Sequence, residues 1–338
     1  MKYFSAFTGV GGFELGVPEE WECAGFSEID KDANKVLKYR YPEVKNYGDI
    51  EKIDYGKLPD FEILVGGSPC QDISVAGKGA GLAGIRSRLF YSYVAILKSK
   101  RPDYFIFENV KNILSSNGGW DFAEVINQFS NAGYNVWWQV LDAQWFGIPQ
   151  HRERVFIFGT LGEKSIRKVF LEPANSRQNK EIQEKKNSET SGKTENRKSI
   201  PGMGDGGGIS IPVVTHLREG QNGRGIKCAG EPSFTLQRAQ KAGVFDGKRI
   251  RFLTPLECER LMGWEDGWTK YGMDDKGNIV ELSDNARYKL IGNGVVPDMV
   301  KSVINIIMEE KNIGIVKENP VNSYIIKPTN KLKEFEIE

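Results

Sequence analysis

The sequence predicts an α/β fold, a mixed and mostly parallel sheet with helices on both faces, joined to a smaller, mostly irregular and β region. Three observations carry this expectation. Strand-like and helix-like segments alternate through residues 1–160, the pattern expected when helical crossovers join parallel strands. A glycine-rich turn, Gly9-Val10-Gly11-Gly12, directly follows the first apolar strand. The character then changes: residues 176–198 hold one strongly apolar residue, Ile182, among Lys, Glu, Asn and Ser. Such a stretch cannot bury enough surface to offset chain entropy.

In chain order, residues 2–7 read as a buried first strand, and 13–15 as the start of a helix after the glycine turn. Residues 21–28 form a second strand and 32–41 a helix. The short apolar strand 63–66 runs into Gly67-Ser68-Pro69-Cys70. A helix is expected over 89–98, a buried strand over 104–108, an amphipathic helix over 122–132, and strands over 135–141 and 154–159. Residues 176–208 are expected to be flexible. Short strands are expected at 213–216 and 233–236. The last clear signal is a helix over 297–310, with proline in its first turn and Met299, Val300, Val303, Ile304 and Ile307 at helical spacing. The expected division is a first domain over 1–170, a second over 171–285, and a return segment over 286–338 that completes the first.

Composition narrows the class. The 338 residues suffice for two packed domains. No apolar run approaches the roughly 20 residues of a membrane span, and residues 1–5 lack a signal peptide's apolar stretch. A cytoplasmic protein without membrane contact is expected. Cys23, Cys70, Cys228 and Cys258 fit neither a zinc pattern nor a disulfide framework, and His151 and His216 are the only imidazoles, so no metal is expected. The net charge of +1 hides an asymmetry: residues 151–251 hold 20 basic and 11 acidic side chains. A basic middle in an otherwise acidic chain suggests a polyanion-binding face. For 176–198 alone, a solvated charge run is the preferred reading.

The chemistry-bearing residues gather at predicted strand ends. In Phe7-Thr8-Gly9-Val10-Gly11-Gly12, glycines let the backbone turn tightly and approach a ligand. The spacing differs from the G-x-G-x-x-G of dinucleotide enzymes, which argues against a nicotinamide dehydrogenase. Glu28-Ile29-Asp30 ends the second strand, where an acid can accept from ribose hydroxyls. Asp49-Ile50 follows; Asp49 reads equally as an adenine contact or as a helix cap or surface charge. Cys70 occupies a Pro-bounded loop at the sheet's carboxyl edge, where α/β ligands bind. The loop 76–88, with four glycines and Lys78, Arg86 and Arg88, suits a segment that closes over a charged substrate. Glu108-Asn109-Val110 ends a strand facing the same edge. Arg152 and Arg154, two residues apart, share a face if extended and could grip a phosphate or a base oxygen.

Taken in order, Phe7-x-Gly-x-Gly-Gly, Pro69-Cys70-Gln71, Glu108-Asn109-Val110, Gln150-His-Arg152-x-Arg154 and Gly292-Asn293-Gly294-Val295-Val296-Pro297 resemble the bacterial and phage cytosine-C5 DNA methyltransferase family. The segment from Arg251 to Trp264 resembles that family's penultimate block. The match spans residues 4 to about 300, and only 160–248 lacks family motifs, as expected for a variable target-recognition region. One departure is Gly294, where the family often has serine.

The resemblance implies a Rossmann-like fold that binds S-adenosylmethionine, and a sequence-specific enzyme acting on double-stranded DNA. It implies Cys70 as nucleophile, Glu108 as the group meeting ring N3, and Arg152 at the O2 edge with Arg154 beside it. A water near Asn109 is the suggested acceptor of the C5 proton. Phe7, Gly9, Gly11, Gly12, Glu28, Ile29, Asp49, Ile50, Pro69, Leu89, Asn293 and Val295 would surround the cofactor. Leu89 and Val295 could equally be core residues. Gln71, Ser74 and Arg86 would contact DNA near the extruded base. Arg218, Arg224, Gln237 and Arg238 would read or position the duplex, along with Lys227 and Lys241, whereas His216 and Cys228 read as structural. A monomer is expected, compatible with a separately acting restriction endonuclease. An RNA methyltransferase on the same motifs and a silent DNA-binding repressor are the rivals. The long segment between Arg154 and Arg251 argues against the first, and the intact Cys70, Glu108 and Arg-x-Arg sets argue against the second.

Overall fold

The computed structural model describes residues 1–69, 88–162, 213–214, 233, 235–236, 243–245 and 250–312. Its centre is a six-stranded sheet in the order β2-β1-β3-β4-β6-β5. The strands are β1 (Lys2–Ala6), β2 (Glu22–Ser27), β3 (Ile63–Gly66), β4 (Tyr104–Val110), β5 (Tyr134–Asp142) and β6 (Glu153–Leu161). The first four pair in parallel, whereas β6 runs antiparallel to both β4 and β5. The sheet is therefore mixed, as the sequence predicts.

Side-chain alternation along these strands builds two cores, because successive residues of a strand face opposite ways. Tyr3, Ile63, Val65, Ile106, Phe156 and Phe158 enter one; Phe4, Leu64, Phe105, Phe107, Val155 and Ile157 enter the other. Helices α2 (Arg88–Lys100) and α3 (Trp120–Asn131) cover the second core with Phe90, Tyr93, Val125 and Phe129. The Tyr93 hydroxyl donates to the Leu64 and Ile106 carbonyls, so even the polar end of this buried ring is satisfied. Helix α1 (Lys31–Arg40) lies on the first core, its N-terminus capped by Asp30, which accepts from the Asp32 and Ala33 amides.

The rest of the first core comes from the far end of the chain. Helix α4 (Pro255–Arg260) starts at a capping box, Thr254 with Glu257, and has proline at its first position. Helices α5 (Asp284–Asn293) and α6 (Pro297–Asn312) follow. Leu253, Cys258, Met262, Trp264, Trp268 and Leu282 pack in the same core as Val10 and Phe13, together with Met299, Val300, Val303 and Ile304. The run Asp284–Met308 is long and apolar enough to cross a membrane by length and composition alone. Its apolar side is accounted for by this packing. Strands β7 (Val213–Val214), β8 (Gly243–Phe245) and β9 (Ile250–Phe252) form a small antiparallel sheet, and β10 (Tyr271–Met273) pairs with β11 (Ile279–Glu281).

Several expectations change. Residues 13–15 start no helix but lie in consecutive turns that stop at Pro18, which has no amide hydrogen to continue a ladder. Strand β4 runs on to Val110 because β6 keeps pairing with it through Glu108↔Phe156 and Val110↔Arg154. Among the described residues of 233–236, Ser233 forms a bridge with Gln150 and 235–236 lie outside any strand. Helices α4 and α5 were not expected. The expected flexible stretch 176–208 lies outside the described residues.

Glu14, in the turn after β1, is buried, and neither carboxyl oxygen has a hydrogen-bond partner among the described residues. Burial pushes its pKa up to about 7. The unfolded chain gives up this proton near 4.5, so folding is progressively penalised as pH rises from about 4.5 to 7, and by a constant amount above that. Replacing Glu14 with Gln should raise the thermal unfolding midpoint at pH 8 by about 5 °C and change it little at pH 5. Calorimetric scans at both pH values check this, and a wild type more stable than the variant at pH 8 overturns it.

Candidate active site

Three strand ends converge at the carboxyl edge of the sheet. Glu108 on β4 and Arg154 on β6 are diagonal neighbours across an antiparallel ladder, since Val110 is the residue directly opposite Arg154. Arg154 Nε lies 3.0 Å from Glu108 Oε1, with both side chains largely buried. Burial raises the Glu108 pKa, and the guanidinium groups of Arg154 and Arg152 pull the other way; burial prevails. On the other side β3 gives way to Gly67, where a β-carbon would lie 2.5 Å from the Glu108 carbonyl oxygen and 2.9 Å from its Oε2. Glycine alone lets this chain pass so close to the carboxyl group. Asn109, fully buried, donates from Nδ2 to the Ser68 carbonyl (3.2 Å) and accepts the Val110 amide on Oδ1. It therefore ties β4 to the segment that leads into Pro69. Each end of its amide makes one of these bonds and keeps one hydrogen or one lone pair over.

Arg152 differs from its expected role. It lies before β6, is 1% exposed, and donates to three main-chain carbonyls: Leu236 (3.2 Å), Gly292 (3.3 Å) and Gly294 (2.6 Å). Its guanidinium joins distant segments instead of sharing a free face with Arg154. Neighbouring residues that sequence reasoning passed over serve the same junction. Buried Gln150 donates to the Leu261 carbonyl and accepts the Leu236 amide. Asp142 accepts from the Arg152 and Gln144 amides, and its Oδ2 lies 2.5 Å from His151 Nδ1. Gln150 sits inside a motif already singled out, but nothing in the sequence marks Asp142.

At the ends of β1 and β2, Glu28 Oε2 accepts the Gly9 amide (2.7 Å), and Oε1 accepts those of Ile29 and Asp30. Burial still raises its pKa despite these donors. Ile29 is 67% exposed, an apolar side chain standing in the open beside an acid. Phe7 takes a positive φ of 56°, strained for a bulky residue. Asp49 caps the turn Ile50–Lys52 by accepting the Glu51 amide, and it pairs with Lys52. Ile50 is buried in the second core. Gly12 and Val295 are in close approach. Leu89 is half-buried at the start of α2, while Pro69 and Asn293 are exposed. Gly11 is buried in the turn. Cys70, Gln71, Ser74, Arg86, Arg218, Arg224, Gln237 and Arg238 lie outside the described residues, as do the loop 76–87 and His216, Lys227, Cys228 and Lys241.

Comparison with known proteins gives the same reading. The family model described as C-5 cytosine-specific DNA methylase matches residues 1–309. The orphan methyltransferase M.SPRI of Bacillus phage SPR is 28% identical over 90% of this chain and 96% of its own length. The type II methyltransferase M.BsuFI of Bacillus subtilis is 31% identical over 91% of this chain and 73% of its own. The crystal structure of the S. pombe Dnmt2 methyltransferase shares the fold, with a TM-score of 0.61 at 17% identity, over 93% of this chain and all of that one. The chain thus belongs to the C-5 cytosine-specific DNA methylase family, enzymes that transfer a methyl group from S-adenosylmethionine to carbon 5 of cytosine in DNA.

Proposed function

We propose that catalysis runs at the strand-end cluster of Cys70, Glu108 and Arg154, on a cytosine rotated out of the duplex. The observation that carries this is the Glu108–Arg154 pair, packed against Gly67 three residues before Cys70. An unmodified cytosine ring is too weak a nucleophile at carbon 5. The Cys70 thiolate adds to carbon 6, forming an S–C bond and pushing the ring electrons toward N3 and O2. Glu108, whose carboxyl pKa burial raises, donates to N3 in its protonated form as that charge develops. Arg154, which already faces Glu108, neutralises O2, the role that resemblance alone suggested for Arg152. Once carbon 5 has taken the methyl group, a base removes its proton and the S–C bond breaks, returning the electrons to sulfur. S-adenosylmethionine supplies the electrophilic methyl group.

The residues present fit that cofactor. Glu28 Oε2 accepts a single amide hydrogen bond and retains a lone pair for a ribose hydroxyl. The exposed Ile29 offers an apolar face for adenine. Phe7, Gly9, Gly11, Gly12, Pro69, Leu89, Asn293 and Val295 would complete the walls. Asp49 would meet the adenine edge, and Ile50 would act only by backing the wall.

Base rotation follows from the reaction, since carbon 6 is unreachable in a stacked duplex. Loop 76–88 would close over the extruded base, with Gln71, Ser74 and Arg86 near the gap. Arg218, Arg224, Gln237 and Arg238 would read or position the site. The recognition unit is proposed in a form shorter than 171–285, ending at β9, because residues from Leu253 onward pack in the first core. The enzyme would work as a cytoplasmic monomer in restriction–modification, with a separately acting endonuclease as counterpart; M.BsuFI is a type II methyltransferase.

A duplex carrying 5-fluorocytosine at the target, mixed with protein and S-adenosylmethionine, should become covalently attached at Cys70, because fluorine cannot leave as the proton does. Peptide mapping of a denaturing-gel adduct checks this, and absence of the adduct overturns the assignment. The two arginines should separate in kinetics. Arg154→Ala should lower kcat by about 100-fold or more, with a smaller fall in the unfolding midpoint than Arg152→Ala gives. Arg152→Ala should lower the unfolding midpoint, since three buried carbonyls lose their donor. Equal thermal losses in both variants would refute the division of roles.

A further inference from the structure

We propose that the turn from Trp264 to Trp268 is a clasp that sets the spacing between the glycine loop after β1 and the return segment 292–295, and that Trp264 is a positioning residue for S-adenosylmethionine. The proposal rests on the reading that both segments wall the cofactor site.

Each indole of this turn grips one wall. Trp268 Nε1 donates to the Val10 carbonyl at 2.7 Å, and Trp264 Nε1 donates to the Val295 carbonyl at 3.0 Å. Both rings are buried. The two walls touch: a β-carbon on Gly12 would lie 2.9 Å from Val295 Cγ1 and 3.1 Å from its carbonyl oxygen. Val295 therefore occupies the space that a side chain at position 12 would need.

The turn is itself held rigid. Glu259, fully buried, accepts the amides of Gly267 and Thr269 at 2.8 Å each and pairs with Arg287, while its own carbonyl accepts the Trp264 amide. The Arg40 guanidinium lies 4.3 Å over the Trp268 ring and donates to the Gly267 and Trp268 carbonyls. A hydrogen-bonded buried pair of this kind fixes geometry, and removing one partner strands the other.

Gly294 is the point of contact. A β-carbon there would sit 2.2 Å from Trp264 Cζ2 and 2.5 Å from Cη2. The benzene edge of the indole fills the space where a side chain would stand, and Arg152 holds the Gly294 carbonyl from the other side. Residues 264 and 294 are thus a matched pair, which accounts for glycine at a position where the family often has serine.

The test measures equilibrium binding of S-adenosylmethionine and S-adenosylhomocysteine to the full chain by calorimetry, beside steady-state kinetics and thermal unfolding. Gly294→Ala should weaken binding of both ligands by about tenfold or more. Trp264→Phe, which keeps an aromatic ring but loses the indole N–H, should weaken it by about three- to tenfold. The double variant should bind more tightly than the product of the two losses requires, because phenylalanine lacks the atoms that the new methyl would strike. KM for S-adenosylmethionine should rise with these losses, while kcat at saturating donor and KM for duplex stay within about twofold. If Gly294→Ala does not fold, Trp264→Phe alone decides. Unchanged ligand affinity in both variants, or a fall in kcat with affinity unchanged, overturns the clasp while leaving the cofactor site intact. A wild-type chain that methylates DNA yet shows no binding of either ligand at these walls overturns the reading beneath it.

Discussion

Glu108 and Arg154 meet because β6 runs antiparallel to β4. That single reversal in an otherwise parallel neighbourhood brings a residue near position 150 back to the same sheet edge as the exits of β3 and β4. A parallel strand would have entered from the opposite end and delivered its first residues far from Glu108. Two residues of extra ladder beyond Glu108 then set the diagonal pairing of the carboxyl and guanidinium groups. Gly67 and Asn109 close the arrangement from the side of β3, one by having no side chain and the other by bonding the Ser68 carbonyl. The electrostatic balance follows from the geometry. A carboxyl group with so little water around it resists ionisation, and the neighbouring guanidinium groups temper that resistance without cancelling it.

The second constraint is the return of the chain. Val10 and Phe13, at the start, share a core with Trp264, Trp268, Val295 and Val300, more than 250 residues later. Polar groups at this junction also meet across more than 200 residues of chain: Trp268 with Val10, Arg40 with Trp268, and Lys289 with Asp30. Arg152 and Gln150 add a third party by bonding Leu236, Leu261 and the 292–294 segment. Such links are costly to break singly, because the partner left behind stays buried without a mate. The catalytic edge, the approach to the recognition region and the glycine loop are consequently braced by one set of side chains.

The candidate site also shows how one residue type can serve different ends by burial alone. Glu28 follows the edge strand β2 and Glu108 lies near the end of the central strand β4, and burial raises both pKa values. Glu28 is surrounded by three backbone amides that favour its charged form, while Glu108 relies on arginine side chains. The first is suited to accepting hydrogen bonds, the second to exchanging a proton. Glu14, with no arginine beside it, is pushed up by burial to about 7.

Local pattern determined most of the elements. Apolar runs such as residues 63–66, the cap at Asp30 and the proline at 297 act over a few residues, and their consequences need no distant partner. The motifs also located Glu108, Arg154, Glu28 and the glycine turn at strand ends, since carboxyl-edge loops follow from strand order in the chain. Only the tertiary structure decided which arginine faces Glu108. Residues 152 and 154 have the same charge and reach, and what separates them is that Arg152 lies ahead of the ladder, among carbonyls from residues 236, 292 and 294. The same holds for the end of β4, set by its partner β6, and for Trp264 and Gly294, whose sizes have meaning only against each other. Contacts between residues far apart in the chain leave no mark on either residue's local sequence. That is why the pairing of the site was legible only once the fold had brought them together.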